Sequence, residues 1–308
     1  MHKLRGIIFI IVSASFFGIM PIWVKLAYTT GLTAFDVTFL RSGMAVAMLG
    51  IFIRYRKIDF HVEKQQLIPL LLSSTLGYTA TIVTLYLSYK YVSAGVATSL
   101  HFLFPVLVML LSYFIYHERL QFYKWIALLT SLGGIYLMAG LGGSSFSLWG
   151  VGLAISSAVF FAIYVLSINH PQLKKMNSLV LAFYACLIAS ITSLILLVAW
   201  GNWPMAVTLE GLYYTGLVSF FCTALALIFF IKGVQSIGSA NASILSTLEP
   251  VVSLGAGIIV LYESINRYTL LGCTLIIAAV ILIGYSDLSE DFPTRERTKN
   301  IFKSNRNL

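Results

Sequence analysis

The segment Ala240–Leu261, ANASILSTLEPVVSLGAGIIVL, is long enough to cross a bilayer and carries Glu249-Pro250 at its midpoint. A carboxylate at that depth must face protein or water, or be neutral. The proline removes one backbone donor, and its ring displaces the carbonyl four residues back, at Ser246. An acid, a freed carbonyl and a broken helix are the parts of a solute pathway. A packing kink beside a hydrogen-bonded acid is the competing explanation.

Composition sets the solvent around that segment. The chain has 308 residues, 59% hydrophobic and 10% charged, with a mean hydropathy of +0.90. Soluble domains carry about 25% charge, so most of this surface faces lipid and the expected class is an all-α integral membrane protein. The net charge of +9 then reports orientation, and nucleic acid is not expected as a partner. Cys186, Cys222 and Cys273 lie in apolar runs without CxxC spacing, which suggests neither a disulfide frame nor a metal site.

Apolar spans of about 20 residues recur at 6–28, 35–53, 67–88, 93–116, 122–140, 149–168, 179–199, 211–231, 240–261 and 268–286. Ten transmembrane helices are therefore expected. The first is too long for a leader h-region and lacks an A-x-A site, so it reads as a membrane helix. A polar tail, expected to be disordered and cytoplasmic, follows from 287 to 308. With the N-terminus inside, sixteen of the 20 Lys and Arg lie on the cytoplasmic side. Only Lys90 and Arg267 fall outside, while Lys25 and Arg41 lie within spans. Both termini are thus expected in the cytoplasm, in the inner or plasma membrane.

Residues 93–140 superpose on 238–285 at an offset of 145, pairing Ala97 with Ala242, Pro105 with Pro250, Glu118 with Glu263 and Tyr123 with Tyr268. SASFFG (13–18) likewise resembles SAVFFA (157–162). Five helices per copy place the second copy upside down, giving two inverted repeats, 1–144 and 145–286.

These residues carry a resemblance to a known family. The chain resembles the drug/metabolite transporter superfamily, EamA type, in Phe17-Gly18 through Trp23 and Lys25, and in Arg41. The strongest matches are SAGVATSLHFLFPVLVMLLSYFIYHERL (93–120) and GSANASILSTLEPVVSLGAGIIVLYESI (238–265). It spans 6–286 and implies a central cavity lined by both repeats, with helices five and ten at the periphery.

Pro105 and Pro250 should free the carbonyls of His101 and Ser246, which align in the repeat. The face through His101 runs Ala94, Ala97, Thr98, Pro105, Val108 and Ser112; that through Glu249 runs Ala242, Leu245, Ser246, Val252, Ser253 and Ala256. Both suit either close packing or a pathway. Glu249 is the candidate proton or cation site, and His101 a second titrating group or a core histidine bonded to a carbonyl. Arg41 lies deep enough to pair with Asp36, a helix end or a substrate anion. Lys25 reads as snorkelling. Trp149, Trp200 and Trp203 read as interfacial anchors. Trp23, Tyr78, Tyr86, Phe160, Tyr164 and Phe220 lie within spans and suit a cavity for flat or apolar solutes.

No GxSxG, HExxH, Walker A or dinucleotide glycine motif occurs, so neither an enzyme nor a cofactor is expected. The expected function is secondary transport, outward, of a small organic metabolite such as an amino acid, by alternating access with protons coupled through Glu249. A uniporter of the same fold, an enzyme on lipid-linked substrates and a non-transporting subunit are the alternatives. Gly133, Gly134 and Gly140 could serve a homodimer or internal packing equally.

Overall fold

The computed structural model describes residues 2–88, 91, 100–117, 121–139, 147–200, 207–261 and 267–291. These residues form helices joined by short turns. In the first half run α1 (His2–Thr29), α2 (Ala34–Tyr55), α3 (Lys64–Leu72), α4 (Ala80–Ser88), α5 (Phe104–Tyr116) and α6 (Phe122–Ala139). The second half holds α7 (Leu148–Ile168), the short α8 (Pro171–Lys174), α9 (Ser178–Trp200), α10 (Leu209–Leu217) and α11 (Ala226–Ile237). It ends with α12 (Ser239–Leu245), α13 (Glu249–Leu261) and α14 (Arg267–Asp291). Six helices among the described residues are long and apolar enough to cross a membrane, two of them with π-helical interiors. Among the described residues the secondary structure is all helix, as in an all-α integral membrane protein.

Two of the other expected spans are divided. The span at 93–116 breaks at Phe102–Leu103 before α5 begins. The one at 240–261 breaks at a 3₁₀ turn, Ser246–Leu248, between α12 and α13. Pro105 and Pro250 each sit in the first turn after the break, where a missing N–H leaves no bond unmade. α14 continues to Asp291, beyond the expected end of the last span at 286, because a formed helix extends at one hydrogen bond per added residue. Glu118, Glu263, Lys90, Ala94, Ala97, Thr98, Gly140, Trp203 and the tail from 292 lie outside the described residues, as do the side chains of Lys25, Tyr86 and Trp200.

Elsewhere polar residues start helices. Thr33 and Asp36 cap α2 reciprocally: Asp36 Oδ2 accepts from Thr33 N at 2.7 Å, and Thr33 Oγ1 accepts from Asp36 N at 3.3 Å. Thr208 Oγ1 receives Gly211 N–H at the start of α10.

The offset of 145 reappears in the helix boundaries. It carries Lys64, the start of α3, to Leu209, the start of α10, and it carries α5 (Phe104–Tyr116) onto α13 (Glu249–Leu261). It also carries a π-helical segment, Ser73–Thr79, onto another at Val218–Leu225. In each segment a threonine hydroxyl reaches five residues back, Thr79 to Ser74 O and Thr223 to Val218 O. Helix contacts recur when the halves are exchanged. α1 packs on α11, α13 and the second π segment; α7 packs on α4, α5 and the first. The self-paired contacts are α2 with α9 and α6 with α14.

Candidate functional site

A cavity of about 980 Å³, its open mouth included, lies between the two halves. Helix α1 contributes Ala14, Phe17 and Met20, and α2 contributes Arg41. The first π segment and α4 supply Tyr78, Thr81, Ile82 and Leu85. Glu249 and Ser246 enter from the break before α13, and His101 from the corresponding break in the first half. Among the described residues, α6 and α14 contribute nothing to this cavity, as expected of peripheral helices.

Its aromatic wall crosses both halves. Phe17 meets Phe230 at 6.5 Å between centroids, Phe230 meets Phe161 at 5.9 Å, and Phe161 meets Phe104 edge-to-face at 4.6 Å and His101 at 5.4 Å. Composition does not single out Phe17, Phe104, Phe161 or Phe230 as lining residues. The repeat holds a signal for two of them. Phe161 lies in the SAVFFA copy of the α1 motif, and Phe104 is the counterpart of Glu249.

Five of the seven expected site residues line the cavity: Glu249, His101, Ser246, Tyr78 and Arg41. Trp23 and Tyr164 do not. The α1 face Ala14–Phe17–Met20 steps by three, and one turn later Trp23 packs on Phe221, 5.7 Å between centroids. Tyr164 is fully buried behind Tyr78, the ring centroids 5.4 Å apart. Its hydroxyl has no hydrogen-bond partner among the described residues. Of the other aromatic candidates, Phe220 is 44% exposed and faces outward. Trp149 is exposed at the start of α7, as an interfacial anchor requires.

The Ser246 carbonyl is not spare. Glu249 N–H takes it up in the 3₁₀ turn, so the turn reassigns the acceptor that Pro250 would have orphaned. The Ser246 hydroxyl donates to Ala242 O at 2.8 Å. Arg41 is buried and Nη1 donates to Met20 Sδ at 3.2 Å. The expected Arg41–Asp36 pair does not form, because Asp36 Oδ2 serves Thr33 and Oδ1 has no partner among the described residues. The backbone at Arg41 is held from the second half, where Ser219 Oγ donates to Arg41 O at 2.7 Å.

Gly18 sets the depth of Glu249. A Cβ there would lie 2.7 Å from both Glu249 O and Val252 Cβ, so α1 crosses α13 with no room for a side chain. Gly18→Val should cost about 1–3 kcal/mol through overpacking and lower the melting temperature in detergent by several degrees. An unchanged melting temperature would contradict the close crossing. Gly134 likewise abuts Gly272 O within the chain, whereas Gly133 meets nothing among the described residues.

Comparison with known proteins gives a family on both halves: the EamA-like transporter family matches residues 4–140 and again 148–285. An uncharacterized transporter of Synechocystis is 23% identical over 216 residues, 68% of this chain and 64% of its own length. An uncharacterized transporter of Clostridium kluyveri is 26% identical over 299 residues, covering 92% of this chain and 93% of that protein. An S-adenosylmethionine uptake transporter of Rickettsia prowazekii is 24% identical over 258 residues, covering 84% and 85%. Among solved structures, one crystal structure shares the fold with a TM-score of 0.78 at 17% identity, over 92% of this chain and 97% of that one.

Proposed function

Because this chain belongs to the EamA-like transporter family and is a multi-pass membrane transporter rather than an enzyme, we propose that it exports a small organic metabolite such as an amino acid, coupled to protons through Glu249. The observation that carries this reading is the cavity itself. It places one carboxylate, one guanidinium and a continuous aromatic wall at the junction of the two halves. Arg41 suits the carboxylate of a zwitterion and Glu249 its ammonium or a proton. The Rickettsia relative is named for uptake of an amino-acid derivative, which supports the substrate class.

The architecture proposed is ten spans in two inverted repeats, 1–144 and 145–286, with a cytoplasmic tail from 287. The recurring helix boundaries and exchanged contacts support it. Both termini would lie in the cytoplasm of a plasma or inner membrane, as the Lys and Arg distribution favours. A homodimer would have Gly133 available at its interface.

Alternating access needs a closed end, and polar ties gather where the N-terminus lies. Asn169 Nδ2 donates to Ser239 Oγ at 2.9 Å, and Ser239 Oγ donates to Val165 O at 3.1 Å. Gln235 Nε2 reaches Leu173 O and Met176 O, and Gln66 Nε2 reaches Gln172 O. Beside them Gly6 of α1 packs on Ser236 and Ile237. We read these ties as the cytoplasmic gate, shut while the cavity is open to the other side.

Counterflow of a panel of the twenty amino acids in proteoliposomes, with and without an imposed pH gradient, tests the reading. Uphill accumulation driven by the gradient is expected. Flux that only equilibrates would make the chain a uniporter.

A further inference from the structure

Ser157 is fully buried on α7, and its hydroxyl donates to Ala154 O at 2.6 Å. The same oxygen lies 3.0 Å from His101 Nδ1. A hydroxyl has one proton and two lone pairs. With its proton on Ala154, Ser157 can meet His101 only as an acceptor. We infer that Ser157 is a positioning residue: it holds the proton of neutral His101 on Nδ1 and leaves Nε2 as a hydrogen-bond acceptor facing the cavity, matched to an N–H or O–H group of the cargo.

The surroundings fix the ring in that pose. Phe102, Phe104 and Phe161 flank the imidazole with centroids at 6.0, 5.5 and 5.4 Å. Nε2 has no partner among the described residues, yet it is not one of the enclosed unpaired atoms. Since His101 lines the cavity, that nitrogen opens onto it. The same neighbourhood in the other half is built differently. Ser13, the counterpart of Ser157, sends its hydroxyl across to Ala226 O at 2.8 Å, and the counterpart of His101 is Ser246. The Ser157–His101 pair is therefore a departure from the repeat, as Glu249 is.

The word cargo rests on the transport reading; the tautomer does not. The test is ¹⁵N NMR of histidine-labelled protein in detergent, with His101→Gln identifying the His101 signals. The expected spectrum has a directly bonded proton on Nδ1 and none on Nε2. Ser157→Ala, a small change at a small residue, should release the preference into a mixture or onto Nε2, and Ser157→Thr should restore it. In the amino-acid counterflow assay, Ser157→Ala should raise KM about tenfold, the worth of one hydrogen bond, with kcat preserved and Ser157→Thr near wild type. A wild-type proton on Nε2, or a tautomer indifferent to Ser157→Ala, overturns the inference whatever the flux. A wild type that moves no amino acid overturns the transport reading and leaves the tautomer result to stand by itself.

Discussion

Glu249→Gln should abolish uphill transport driven by a pH gradient in proteoliposomes while the protein stays folded. Glutamine keeps the shape and most of the hydrogen-bonding capacity of the side chain but cannot release a proton. Glu249 stands in the first turn of α13, its backbone beside Gly18, and lines the cavity. A group so placed can be loaded from one side and unloaded to the other as the gates alternate. The repeat puts Phe104 at the equivalent position, so the acid is not required by the architecture. Downhill exchange should survive in the variant. A Glu249→Gln protein that keeps the full pH dependence would remove this residue from coupling.

The second large effect is at the gate. Combining Asn169→Ala with Gln235→Ala removes the tie to Ser239 and both ties to the α8 region. At about 1 kcal/mol for each of these hydrogen bonds, the ratio of the two gate states should move by about two orders of magnitude. The readout is labelling of Leu85→Cys, a half-buried position in the cavity, by a membrane-impermeant maleimide, with Cys273 replaced and the buried Cys186 and Cys222 retained. Labelling from the side on which α1 begins should rise tenfold or more. If it does not, the ties are not a gate.

Much of the helical plan is legible in the sequence because lipid leaves few alternatives. Long apolar runs can only be helices, and a proline within one can only break or bend it. Pro105 and Pro250 therefore point to the two breaks where His101, Ser246 and Glu249 meet the cavity. The fate of the Ser246 carbonyl is not legible, because a helix can answer a missing donor locally: one 3₁₀ bond from Glu249 N–H suffices. The aromatic wall is largely hidden. At 14% aromatic residues, no count separates Phe161, which lines the cavity, from Phe220, which faces outward. The π segments leave no mark in composition, since neither carries a proline. They emerge only when backbone hydrogen bonding is followed through both copies. Charge alone offers Asp36 as a partner for Arg41, whereas that acid closes its own helix cap. Such local bonds compete with side-chain pairing wherever Thr or Asp begins a helix.

If cargo crosses through the cavity between the halves, plugging that cavity should stop transport. Leu85 lines that cavity and is only half-buried, so Leu85→Trp adds bulk into open space with little strain on the core. Amino-acid counterflow should be measured for wild type and Leu85→Trp at matched melting temperature and protein amount. Flux is expected in the wild type and none above empty liposomes in the plugged variant. Equal flux in both proteins would mean that cargo takes another route.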